Sequence, residues 1–514
     1  MDGAHSHPGR AWCEGTDDPA REGIAAINDT TRYALIILGA SAVGLIALMA
    51  NRLTERLKIP TPLLVLAGGA VAANAVPALQ APPEQLVERI ITVALVLVLF
   101  DGGMHIGWSR FRAAALPIVS TGVVGTFLTA AGAAVLLHLA FGIDWYLAAL
   151  VATAVAPTDP AVVFSVLGRR EIAGRSGTIL EGESGANDPV GIALMASLLA
   201  AGAISAAGFV SVGVTFLLQM VIGAVVGVLG GRALLVFVRR VPLPSEGLYP
   251  LRTLAVSLML YGVTTLAHGS GFLAVFVAGI VIGDARAPYK QEVARFHAAL
   301  AGLAEIVAFA VLGLTVDLHV LARPDVWLPG LVLGVALTIL IRPLGVGTCL
   351  VPVRLRRNER TFILFAGLKG AVPILLGELL RTAGVPQAER LYGIVVVVVT
   401  FSVLVQGGCV PLVARLLHLP MSTTEPQPWA VGVRLRDEPQ GVQRLTVAAG
   451  SAADGMTVES LGDIAGEVWV SMVVRASGLV SVRADTELQE GDVVVILAES
   501  DLSATLDELF CSTN

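Results

Sequence analysis

The chain is 514 residues long, 55% hydrophobic and only 14% charged, with a mean hydropathy of +0.78. A soluble protein carries about 25% charged residues, so this composition excludes an ordinary soluble domain and points to a polytopic membrane protein. The formal net charge of −6 says little about partners, because in such a chain the placement of charge in loops matters more than its sum.

Residues 1–31 are polar and lack the basic start and short apolar core of a cleavable signal, so they read as a disordered extracytoplasmic tail. From Arg32 onward apolar runs follow one another, most near the ~20 residues needed to span the hydrocarbon core. They cover 32–50, 61–80, 87–106, 113–138, 145–167, 176–203, 209–238, 248–268, 271–285, 294–317, 326–350, 360–381 and 389–418. Thirteen spans place the two chain ends on opposite sides. One set of alternate loops holds Arg52, Arg56 and Lys58; Arg110 and Arg112; Arg169, Arg170 and Arg175; Arg239, Arg240 and Arg252; Arg286, Lys290 and Arg295; Arg354, Arg356, Arg357 and Arg360. The intervening loops hold only Arg89, Arg323, Arg381 and Arg390. The rich set is expected in the cytoplasm, which puts the N-terminus outside and the C-terminus inside. The four cysteines (Cys13, Cys349, Cys409 and Cys511) have no metal-type spacing and read as scattered small hydrophobes.

Three spans carry what an apolar helix should not. The span 145–167 contains Ala156-Pro157-Thr158-Asp159-Pro160. Its two prolines remove backbone donors and clash with preceding carbonyls, which a membrane tolerates only beside protein or a watery cavity. The next span contains Glu181, Glu183, Ser184, Asn187 and Asp188. Glu183 and Asn187 are four apart, as are Ser184 and Asp188, so they stack in one polar sector of a helix. A carboxylate there is costly and usually marks an ion or proton pathway. The span 360–381 contains Gly367-Leu368-Lys369-Gly370-Ala371-Val372-Pro373, a second interruption with a charge at its centre, and the span before it carries Arg342-Pro343. Paired interrupted helices in mirrored order suggest inverted repeats around a transport site. Asp101 reads as a cytoplasmic helix end and Glu305 as a vestibule position; neither is taken as a ligand.

After Pro420 the composition changes. Residues 419–429 read as a linker, and 430–514 as a small α+β domain. Its helix starts near Thr457–Leu461, strands cover Val468–Ala476, Leu479–Val482 and Val493–Ala498, and Ser503–Phe510 closes it as a helix.

The membrane part resembles a monovalent cation:proton antiporter of the NhaP type. The resemblance runs from about residue 32 to 418 and rests on Thr158-Asp159-Pro160, Glu183-Ser184-x-x-Asn187-Asp188-Pro189, Arg342-Pro343 and the Gly367–Pro373 motif. Residues 430–505 resemble the C-terminal RCK regulatory domain of the TrkA-C type, through the Gly455–Leu461 helix start, Val473-Val474-Arg475 and the Leu488–Asp492 turn. The pair is similar to a potassium/proton antiporter subgroup. The resemblance implies an all-α membrane domain of about thirteen helices with two interrupted crossing helices (an NhaA-like fold) and a homodimer. It implies that Asp188 binds either proton or cation, with Asn187, Asp159, Thr158 and Ser184 completing the site. It also implies that Glu183 pairs with Arg342. Lys369 stands where the family commonly has Arg, so the charge is kept and the bidentate fork is lost. Lys369 and Asp159 are expected to compensate opposed half-helix ends.

The expected function is exchange of K⁺ or Na⁺ for H⁺ across the plasma membrane, in pH and cation homeostasis, with the tail regulating it. Spacing does not separate the two cations. The alternative is a ligand-gated cation channel, against which stands the missing filter-like Thr-Val-Gly-Tyr-Gly signature. Besides the ions, the expected partners are the lipid bilayer, a second copy of the chain and a small molecule, such as a nucleotide, at the tail. No enzymatic activity, nucleic-acid partner, cofactor or resident metal is expected.

Overall fold

The computed structural model describes residues 61–75, 82–160, 170–172, 175–203, 206–419, 421–423, 442–465, 468–475, 478–498 and 502–511, with isolated positions at 34, 163 and 167. The expected span 32–50 and the N-terminal tail lie outside these residues, as do most of 161–169 and the stretch 424–441. The chain divides into two compact units, one covering most of the chain up to Pro426 and one containing residues 427–514.

The first unit is almost entirely helical, because lipid offers no partner for backbone N–H and C=O groups and a helix satisfies them internally. Helix α1 covers Thr61–Ala75 and α2 covers Glu84–Val119. The expected turn between the spans 87–106 and 113–138 shrinks to two non-helical residues inside α2, Gly107 at φ +64° and ψ 167° and Ala114 at φ −121° and ψ 18°. The Asp284 carboxylate lies where a Cβ at Gly107 would stand. It accepts from the Ser109 backbone N–H at 2.5 Å and from the Ser109 hydroxyl at 2.6 Å. Asp284 thus caps the helix that restarts after the kink, so no loop is needed. A π-helical stretch, Ser120–Gly125, leads into α3, Thr126–Phe141.

Helix α4, Trp145–Val155, then stops in the middle of its span. Helices α5 (Arg175–Ala201), α6 (Ala206–Arg240), α7 (Leu248–Leu266), α8 (Gly271–Gly283) and α9 (Lys290–Leu314) follow. Helix α10, Pro324–Ala336, passes through a second π-helical stretch, Leu337–Ile341, into α11, Arg342–Leu350. Helix α12, Arg357–Phe365, is broken from α13, Ala371–Thr382. Helix α14, Ala388–Phe401, runs through a third π-helical stretch, Ser402–Gly407, into α15, Gly408–Leu416.

Among the described residues, five helical stretches are long and apolar enough to cross a bilayer: Glu84–Phe141, Val210–Arg240, Lys290–Leu314, Pro324–Leu350 and Ala388–Leu416. The unit is therefore a multi-pass membrane domain. The interrupted segments are too short individually, and α5 carries three carboxylates. Helix α8 is the buried spine, packed between α2 and α6. Gly223, Gly227 and Gly231 on α6 let that helix approach Ser270, Ala274 and Ala278 at backbone distance. The opposite face of α6 leaves Val210, Val214, Leu217, Val221, Val225 and Leu229 exposed, as a lipid-facing helix does.

The membrane unit is not purely α. β1 (Arg170–Ile172) pairs antiparallel with β2 (Met421–Thr423), so the segment expected as linker opens with a strand.

The second unit holds a four-stranded antiparallel sheet in the order β3-β6-β4-β5, with β3 Val442–Thr446, β4 Trp469–Arg475, β5 Gly478–Val480 and β6 Val493–Leu497. Strand β3 was not anticipated; its Arg444 and Thr446 interrupt the apolar pattern. Helices α16 (Val458–Ala465) and α17 (Ser503–Phe510) contribute Leu461, Leu506 and Phe510 to a core with Val473, Val494 and Ile496. The Glu490-Gly491-Asp492 turn is anchored by Arg475, which donates to both Asp492 oxygens at 2.8 and 2.7 Å.

Candidate functional site

The two interruptions meet. Pro160 has no N–H to offer the carbonyl of Ala156, so that oxygen is released from the helix ladder. Lys369 takes it: Nζ donates to the Ala156 carbonyl at 2.9 Å and the Pro157 carbonyl at 3.1 Å. The amine of the second break thus neutralises the C-terminal end of α4, where helix carbonyls concentrate negative charge. The chains also touch through their backbones, Asp159 N–H donating to the Leu368 carbonyl at 2.8 Å. The Asp159 carboxylate packs on Gly370, the residue before α13, where a Cβ would occupy its place. That sets a negative group at the positive end of the helix.

Helix α5 supplies the third wall. Asn187 reaches the first break with both ends of its amide, Nδ2 donating to the Thr158 hydroxyl at 2.8 Å and Oδ1 accepting from Thr158 N–H at 3.3 Å. The Thr158 hydroxyl lies 3.0 Å from that of Ser184. Either hydroxyl can donate in that contact, because the Thr158 oxygen has a second lone pair besides the one that accepts from Asn187. Thr158, Ser184 and Asn187 are all buried. Asn187 is therefore committed to holding Thr158 in place. Asp188, the next residue, has Asp159 and Lys369 as its charged neighbours. Its Oδ1 is buried and accepts no hydrogen bond from the described residues. One turn further on, Gly191 lies against Pro157 and seats the helix on the break.

Behind this cluster, Glu183 Oε1 lies 2.7 Å from Arg342 Nη1, with the side chains 2% and 4% exposed. Arg342 Nε also donates to the Leu364 carbonyl at 3.0 Å and Nη2 to that of Ile363 at 3.2 Å. These are last-turn carbonyls of α12, so one guanidinium joins α5, α11 and the second break. Gly367 leaves room for it.

Thr158, Asp159, Glu183, Ser184, Asn187, Asp188, Arg342 and Lys369 lie in this assembly; Glu181 does not, its carboxylate facing Arg110 at 3.9 Å. Sequence reasoning missed the assembly's buttress. Ser402 Oγ accepts from Lys369 N–H at 3.0 Å and donates to Gln406 Oε1 at 2.9 Å. Gln406 Nε2 in turn holds the Phe365 carbonyl, and the Thr338 hydroxyl donates to Gln406 Oε1 at 3.2 Å. A Ser and a Gln four apart in an otherwise apolar span were the available signal. The three π-helical stretches carry Gly122, which abuts Glu183 and Ala186, lead into Arg342, and hold Ser402 and Gln406. Such stretches frequently mark functional sites.

Chemically, with the released Ala156 and Pro157 carbonyls held by Lys369, the crossing offers one carboxylate oxygen without a hydrogen bond among the described residues and two hydroxyl oxygens. Those are hard oxygen donors of the kind alkali cations take in place of water.

The profile of a family described as "Sodium/hydrogen exchanger, transmembrane" matches residues 43–416, and that of the "TrkA-C domain" matches 442–510. A protein named K(+)/H(+) antiporter NhaP from Alkalimonas amylolytica is 35% identical over 388 residues, covering 75% of this chain and 67% of the relative. A K(+)/H(+) antiporter NhaP2 from Shewanella oneidensis is 30% identical over 476 residues, covering 90% and 81%. In fold, the chain is similar to the sodium proton antiporter MjNhaP1 of Methanocaldococcus jannaschii at a TM-score of 0.62 and 22% identity, over 73% of this chain and 99% of that one.

Proposed function

The chain belongs to the sodium/hydrogen exchanger family, and from that premise we propose that it is a secondary antiporter exchanging a monovalent cation for H⁺ through Asp188. The observation that carries this reading is the Asp188 Oδ1 atom, buried without a hydrogen-bond donor among the described residues, with Asp159 and Lys369 as its charged neighbours where the two interrupted helices cross. A proton or a partly dehydrated cation satisfies that oxygen, and only one of them at a time. The site reorients when loaded, because an empty carboxylate in the barrier is costly.

Ser184, Thr158 and Asp159 complete the coordination, and Asn187 fixes Thr158. Lys369 and Asp159 compensate the half-helix ends, and Glu183 with Arg342 ties the core helices together. One cation for one proton follows if Asp188 is the only exchangeable site, which an Asn rather than a second Asp at 187 favours. The transported ion is K⁺ or Na⁺; the names of the two relatives make K⁺ the first to assay.

The same proposal includes thirteen spans with inverted repeats in an NhaA-like arrangement over 32–418, in a plasma-membrane homodimer. The extracytoplasmic N-terminus and cytoplasmic tail are supported by the arginine distribution in the loops. The tail, 430–514, regulates exchange through a small-molecule ligand of nucleotide type.

The test is Asp188→Asn, assayed as cation-driven dequenching in everted vesicles with K⁺, Na⁺ and Li⁺ in turn. Exchange should vanish with all three while the purified variant stays monodisperse. Wild-type dequenching by the variant would refute the assignment.

A further inference from the structure

A cavity of about 290 Å³, separate from the crossing, is lined by Arg112, Leu116, Pro117, Pro352, Val353 and Arg354 among others. It lies between the part of α2 that follows Gly107 and the turn that follows α11. Its size is at the lower end of small-molecule sites, about 300 Å³, and well beyond what a single ordered water needs.

Its two ends differ. Arg112 and Arg354 are exposed, and among the described residues neither guanidinium has an ion-pair or hydrogen-bond partner. A third cation stands close by: Arg360 Nη2 donates to the Val353 carbonyl at 3.1 Å, while its Nε is buried without a partner. Like charges gathered on one cavity repel one another, so the arrangement favours an anion between them. The rest of the lining is apolar. It continues onto an exposed apolar surface: Leu116 is 71% exposed, Val351 68% and Leu344 63%. Leu344 and Val351 are two helical turns apart and share a face. Basic pockets between transmembrane helices at the headgroup level are suited to acidic lipids.

We propose that this cavity binds the phosphate-bearing headgroup of an anionic phospholipid, with Arg112 and Arg354 on the phosphate and the acyl chains running along Leu116, Leu344 and Val351. Guanidinium groups match phosphate oxygens bidentately. The lipid joins α2 to α11, the helices that lead respectively into the first π-helical stretch and out of the second. With the orientation proposed above, the headgroup sits in the cytoplasmic leaflet; the headgroup chemistry does not depend on that orientation.

The experiment is native mass spectrometry of the purified full chain in detergent, offered phosphatidylglycerol or phosphatidylcholine at equal concentration, with and without inorganic phosphate. The wild type should retain phosphatidylglycerol preferentially. Each guanidinium removed should weaken retention about fivefold, so that R112Q/R354Q loses about twenty-fivefold, while R112K/R354K keeps the charge and most of the retention. Equal retention of the two lipids by the wild type overturns the proposal. Displacement of the lipid by equimolar inorganic phosphate overturns it in favour of a free-anion site. Hydrogen exchange on the wild type needs no variant. Phosphatidylglycerol should protect 112–117 and 352–354, and protection confined to other segments overturns the placement. None of these readings uses transport, so they stand or fall separately from the antiport assay.

Discussion

Replacing Arg342 by methionine should destabilise the protein far more than replacing its partner Glu183 by glutamine. In R342M the Glu183 carboxylate, 2% exposed, loses its partner at 2.7 Å, and its other oxygen already has none. Removing one member of a buried pair costs about 3–5 kcal/mol. The change also strips two carbonyls of their donors, Leu364 at 3.0 Å and Ile363 at 3.2 Å. Hydrogen bonds from a charged donor contribute about 1.5–3 kcal/mol each. In E183Q, Arg342 keeps both carbonyls, and the glutamine oxygen still accepts from Nη1. The guanidinium is nonetheless left buried without its counter-charge, so that loss is also about 3–5 kcal/mol, without the two lost carbonyl bonds. Those two bonds should therefore separate the single variants by at least about 3 kcal/mol. Adding E183Q to R342M should restore part of the loss, since no buried charge is then left uncompensated. The assay is the apparent melting temperature of the purified full chain by fluorescence-detected size exclusion, at one fixed heating rate because such unfolding is irreversible. An E183Q variant as unstable as R342M, or a double variant worse than the sum of the singles, would sink this reasoning.

Two further outcomes test other parts of the molecule. Gly370→Ala places a methyl group on the Asp159 carboxylate and pushes the two breaks apart. Cation-driven proton flux in proteoliposomes should fall about a hundredfold, the scale of a 1 Å misplacement in a working site, and a near-normal rate would contradict the geometry. In the second unit, hydrogen bonds from Arg475 hold the Asp492 carboxyl below the usual carboxylate range. A depressed folded value gives stability that is present above the unfolded value, about 3.9, and is lost as pH falls through the lower folded value. Hydrogen-exchange protection of strands β4 and β6 should therefore decline below about pH 4, and Asp492→Asn should remove that step; an unchanged acid profile in the variant would count against it.

Much of the site was legible because its residues break the rules of their surroundings. A proline or carboxylate in a long apolar run is conspicuous, and Asp159, Glu183, Asp188, Arg342 and Lys369 each stood out on that ground. Ser402, Gln406 and Thr338 did not, because hydroxyls and amides are cheap enough in membrane helices to occur without function. The turn at Gly107 was read as a loop because its cap comes from Asp284, which no local pattern reveals. Strand β3 was missed for a related reason: one strand's worth of weak alternation becomes a strand only when β6 is there to pair with it.

From composition and apolar run length alone came the membrane class, the place of the two interruptions and the residues that carry charge into the bilayer. These follow from the energetics of transfer into lipid, which each residue meets individually. Only the folded chain decided which freed carbonyl meets which amine, that Asn187 is spent on Thr158 while an Asp188 oxygen is left open, and that Arg342 serves Glu183 and the end of α12 at once. Those are distances between segments as much as 213 residues apart, and they depend on how the helices close on one another, which no local pattern encodes.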